Sequence, residues 1–158
     1  MTTFEDISKQ TLLSREVWVV FTNQTELPLL SALKDGFRHC FILIHDGEHW
    51  ISVDPMSNYM EVVVHNVPAH FDLAAWLKAR GHHMIKTQIK DNLTKPAPMM
   101  PFTCVEACKR ILGIHGRFIF TPWQLYKHIV LEQKRQNIAC RKSDAPEYEI
   151  EGDLLWEV

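Results

Sequence analysis

The stretch FRHCFILIHDGEHWISVDP, residues 37–55, constrains the fold more than any other. Two apolar, β-branched runs flank Asp46-Gly47, the strongest short-range signal for a β-hairpin. Antiparallel strands are therefore expected at about 39–45 and 49–54. His39 opens the first strand and Asp54 closes the second, so an ionisable pair stands at the open end of an otherwise apolar hairpin.

Register decides whether the pair can meet. With a two-residue loop at Asp46-Gly47, His45 pairs with Glu48, and opposed residues have numbers that sum to 93. His39 then lies opposite Asp54 on one face, with roughly 4.5–5.5 Å between Cβ atoms. A carboxylate there accepts the imidazole N–H, fixes its tautomer and raises its basicity. A three-residue loop would put Asp54 on the other face. The plainer alternative is that Asp54-Pro55 starts a turn and His39 is a half-exposed strand-end residue.

The remaining elements alternate. VWVVF (17–21), MEVVVH (60–65) and HMIKTQI (83–89) read as strands, and LPLLSALKDG (27–36) as a turn or a single helical turn stopped by Gly36. DLAAWLKARG (72–81) reads as a helix capped by Asp72 and ended by Gly81. TCVEACKRILG (103–113) and TPWQLYKHIVLEQKR (121–135) open with Thr at the cap and Glu106 or Gln124 three residues on, two capping boxes. KPAPMMP (95–101) can be neither helix nor central strand. The sum is an α+β fold, a mostly antiparallel sheet with packed helices, in a single domain over 1–158. The acidic tail, 144–158, is a final strand or loosely ordered.

Composition excludes several classes. A net charge of −2 gives no reason to expect nucleic acid as a partner, and no apolar run is long enough to span a bilayer. The polar, acidic N-terminus is not a signal peptide, so a cytoplasmic location is expected. Without export, Cys40, Cys104, Cys108 and Cys140 are expected as thiols rather than disulfides. No Cys-x-x-Cys or His-Glu-x-x-His spacing supports a zinc site built from His39, Cys40, Cys104 and Cys108, and no cofactor is implied. Nothing in the sequence fixes the oligomeric state. The basic cluster KRQNIACRK (134–142) is explained by a solvated helix C-terminus.

Cys104 follows the Thr103 cap, in the first turn of a helix. Free N–H groups and the positive end of the helix dipole favour an anion there, which depresses a thiol pKa. The same amides can receive an oxyanion. The competing reading is a small core hydrophobe on a face shared with Cys108 and Ile111. Joined to an opposed His39–Asp54 pair, Cys104 supplies the missing nucleophile, with a base and an orienting carboxylate beside it.

This set resembles the papain-like cysteine hydrolase superfamily, in which the cysteine heads a helix packed on a sheet and the histidine and its polar partner sit on neighbouring strands. The order His39, Asp54, Cys104 is the reverse of papain and of standard NlpC-type peptidases. It is similar to the circularly permuted branch, which includes lecithin:retinol acyltransferase-like proteins and related bacterial and viral hydrolases. The resemblance covers roughly residues 17–130. It implies a permuted papain-like fold, with Cys104 in FTCVEACK as nucleophile, His39 as proton shuttle and Asp54 as its holder. The Asn-Cys-Glu-His-Phe signature of the retinoid acyltransferases is absent. Gln24 and Asn23 are candidates for a side-chain oxyanion donor. Two functions follow as expectations: a thiol hydrolase or acyltransferase acting on a peptide, amide or acyl ester, or an inactive accessory module on the same fold, of viral or prophage type.

Overall fold

A computed structural model describes residues 15–24, 28–68, 70–90, 96 and 99–143. The termini 1–14 and 144–158, which carry the N-terminal reading and the acidic tail, lie outside them. Five strands, β1 (Glu16–Thr22), β2 (His39–His45), β3 (Trp50–Pro55), β4 (Met60–His65) and β5 (His83–Thr87), pair antiparallel throughout, in the order β4-β3-β2-β1-β5. Three helices pack on the sheet: α1 (Leu73–Ala79), α2 (Cys104–Leu112) and α3 (Pro122–Ser143). The α+β expectation holds.

Strand alternation divides the core. Val17, Val19 and Phe21 of β1, with Cys40, Ile42 and Ile44 of β2, face Val105, Cys108 and Leu112 of α2 and Leu125 and Ile129 of α3. The other face carries Val20, Leu43 and Trp50 against Leu73 and Ala74 of α1. Covered on both sides, β1 reads as one apolar run, whereas the edge strand β4 stays largely exposed. Each fully buried aliphatic side chain contributes roughly 1.5–3 kcal/mol.

The hairpin differs from expectation in its turn. The ladder pairs His45 with Trp50 and Ile42 with Val53, so opposed numbers sum to 95. Asp46 N–H donates to the His49 carbonyl at 3.2 Å, which centres the turn on Gly47-Glu48. Gly47 takes φ +106°, closed to most L-residues, and suits the first central position of a hairpin turn. Asp46 is an anchor of the turn, since its Oδ1 accepts from the amides of Glu48 (2.9 Å) and His49 (2.7 Å). Moving a two-residue turn along by one residue shifts the pairing by two, and a two-residue slip keeps every side chain on its face. Asp54 is thus diagonal to His39, not opposite it, and still on the same face.

The helix signals hold with two corrections. Asp72 Oδ1 accepts from Ala75 N–H at 2.8 Å, and Gly113 closes α2 at φ +68°. At Thr121 the capping box is reciprocal, with Gln124 Oε1 accepting from Thr121 N–H and Thr121 Oγ1 from Gln124 N–H. At Thr103 only half a box forms. Its Oγ1 accepts from Glu106 N–H at 3.2 Å, but the Glu106 carboxylate turns down the helix to Lys109 Nζ (2.7 Å) and Arg110 Nε (3.1 Å). Lys109 is almost wholly buried, and an unpaired buried ammonium is far more costly than a missing half-cap. Helix α3 also outruns its expected end at Arg135, because no Gly or Pro interrupts residues 123–143.

Candidate active site

The loop before β2 sets His39 in place. Asn23 follows β1 and clamps the return: its Nδ2 donates to Asp35 Oδ1 (2.6 Å) and its Oδ1 accepts from Gly36 N–H (2.7 Å). Gly36 has φ +79°, and a Cβ there would lie 2.8 Å from His83 Nε2, so the clamp requires glycine. Asn23 is therefore committed to the loop, and its expectation as an oxyanion donor is corrected. Arg38 N–H then donates to the Thr22 carbonyl, and His39 begins the strand opposite Thr22.

Asp54 stands near the end of β3, paired with Glu61 of β4 and one residue past the last β2–β3 pair, Ile42–Val53. Its Oδ1 is 2.6 Å from His39 Nε2, a charge-assisted contact between two mostly buried side chains. The alternative of an unengaged strand-end histidine is thereby set aside. His45, at the far end of β2, packs its ring on Trp50 and takes no part.

Cys104 is the first residue of α2, as its cap implies. With Thr103 at φ −128°, ψ 168° satisfying Glu106 N–H, the amides of Cys104 and Val105 have no carbonyl within the helix to donate to. One turn on, buried Cys108 fixes the helix to β2, its thiol 3.7 Å from the Cys40 carbonyl and 3.8 Å from Cys40 Sγ. That packing brings the start of α2 onto the start of β2. His39 shares its strand face with Phe41 and Leu43, whereas Cys40 faces α2. The site therefore lies at the end of the sheet, where its two faces meet.

Electrostatics separate Cys104 and His39. The Cys104 thiol is lowered to about 5, first by a hydrogen bond from the Cys40 thiol and then by His39, against the opposing effect of burial. Burial works against the charged His39 ring, but hydrogen bonds to Asp54 and to Cys104 outweigh it and raise the ring to about 10. Between these values the thiol is ionised and the imidazole protonated, an ion pair held at neutral pH. Burial and its two cysteine neighbours push the Cys40 thiol well up, so it stays a donor. Cys40 is a neighbour of Cys104 that sequence reasoning did not place at the candidate site.

A groove of about 700 Å³ opens over the trio. Leu30, Leu33, Phe41, Leu77, Phe102 and Phe120 form apolar walls, and Arg38 and Gln24 also line it. Among the described residues no group of three or more His, Cys, Asp or Glu side chains is arranged to hold a metal ion. Nor is any helix long and apolar enough to cross a membrane. No family model, curated protein or solved structure matches the chain.

Proposed function

We propose that the protein is a thiol hydrolase or acyltransferase that uses Cys104, His39 and Asp54 as a Cys-His-Asp triad on a permuted papain-like fold. The observation that carries this reading is the pairing of a helix-terminal thiol with a histidine that is itself tied to a carboxylate at 2.6 Å. A structural cysteine has no need of a buried cation beside it.

Cys104 thiolate attacks the carbonyl carbon of an amide or ester, and the C=O electron pair moves onto oxygen. That oxyanion faces the first-turn amides of Cys104 and Val105, with the Gln24 side chain at the groove wall as a further donor. Collapse expels the leaving amine or alkoxide, which takes a proton from the His39 imidazolium and leaves an acyl-Cys104 thioester. The neutral ring then removes a proton from water, whose oxygen attacks the thioester and releases acid and thiolate. An acceptor alcohol or amine in place of water gives acyl transfer. Asp54 holds the ring's orientation and stabilises its charged form throughout.

Incubation with p-nitrophenyl acetate and intact-mass analysis tests this. An acetyl adduct on Cys104, with nitrophenol release abolished in Cys104→Ala, is expected. Equal or preferred acetylation elsewhere would favour the accessory-module reading.

A further inference from the structure

Arg38 precedes His39 and lines the groove over the triad. Its buried Nε–H has no partner among the described residues. Its ion pair is with Asp35, at 3.5 Å, and that carboxylate is 81% exposed. So wet a carboxylate holds the guanidinium weakly and gives it up readily to a better partner. The Cys104 and His39 titrations are governed foremost by burial and by hydrogen bonds with Cys40, Asp54 and one another, and Arg38 is not among the leading causes.

Substrate entry gives this cation a purpose. With the thiol ionised, the triad carries a thiolate, an imidazolium and a carboxylate, a net negative charge. A negatively charged substrate approaching Cys104 would be repelled unless a cation met it on the groove wall. Among the described residues that line the groove, Arg38 is the one lysine or arginine. The planar guanidinium fork matches a carboxylate in geometry as well as in charge.

We infer that Arg38 is a specificity-determining residue that selects substrates carrying a carboxylate close to the scissile carbonyl, with an apolar portion along the groove. This rests on the thiol reading of Cys104 and gives that reaction its substrate class: an amide or ester of a free acid rather than of a neutral chain.

Iodoacetate and iodoacetamide form a matched pair, because both alkylate a thiolate and differ in one carboxylate. Alkylation of Cys104 by each, followed by peptide mass spectrometry, gives a rate ratio to set against the same ratio for glutathione. In the parent the iodoacetate-to-iodoacetamide ratio should exceed the glutathione ratio by about 3–10-fold, as expected for one added attractive charge near the surface. Arg38→Gln should bring the ratio down and Arg38→Lys should retain much of it, and salt should weaken the parent's preference. A preference undiminished in Arg38→Gln would assign it to the His39 imidazolium and overturn the role of Arg38. A parent ratio no higher than that of glutathione would overturn it too, while leaving a reactive Cys104 intact. If neither reagent favours Cys104 over the other cysteines, the thiol reading itself fails, and this inference with it.

Discussion

Asp54→Asn removes one charge from the partner of His39 and changes almost no volume. The contact is 2.6 Å between Nε2 and Oδ1, which puts the two charge centres near 4 Å. At the effective dielectric that suits partly buried pairs, two unit charges at that distance attract by about 4 kcal/mol. Divided by 1.36 kcal/mol per pH unit, this corresponds to a fall of roughly 2–3 pH units in the His39 pKa, from about 10 toward neutrality. The sign for stability follows from a folded-state pKa raised above the ordinary 6.5. The pair's contribution is fully present below pH 6.5 and is lost as pH rises through about 10. The variant should therefore be less stable than the parent by about 2–4 kcal/mol at pH 6 and should close the gap above pH 10. Urea unfolding at a series of pH values measures the gap, and NMR titration of the His39 ring measures the pKa directly. An unchanged His39 pKa, or a gap that widens with rising pH, would refute the electrostatic reasoning.

Three further outcomes follow from the same geometry. Thr103→Ala should cost roughly 0.5–2 kcal/mol on thermal or denaturant unfolding through the lost cap, and should raise the Cys104 pKa as the first turn loosens. Cys40→Ala should raise the Cys104 pKa by removing the hydrogen bond that contributes most to lowering it, whereas Cys40→Ser, which keeps a donor, should restore part of the effect; alkylation against pH separates the two. Cys104→Ala should still fold, but with a lower His39 pKa, since the ring loses a hydrogen bond and an adjacent anion; ring NMR checks the pKa and circular dichroism the fold.

Much of the site was legible because it rests on local rules. Thr103 and Thr121 marked their helix starts, and a cysteine directly after a cap must sit among unpaired amides. The same-face relation of His39 and Asp54 survived an incorrect turn, since only an odd slip would have parted them. The turn itself was misread because Asp46-Gly47 fits a hairpin loop equally well with aspartate inside the turn or anchoring it. Its side-chain bonds to Glu48 and His49 decide for the second. What sequence could not supply was tertiary. Cys40 points away from His39 along its strand, and only the docking of α2 through Cys108 brings it against Cys104. The turning of Glu106 toward Lys109 likewise depends on a lysine buried by its neighbours, where helical spacing alone would leave it in solvent.

The rate of Cys104 alkylation by iodoacetamide as a function of pH tests the central claim most directly. An ion pair with His39 predicts a reactive plateau already reached at pH 7, with a midpoint near 5, and a midpoint moved upward in His39→Ala. A midpoint between 8 and 9 in the parent, the range of about 8–9 for an ordinary thiol, would contradict it and leave Cys104 a structural residue.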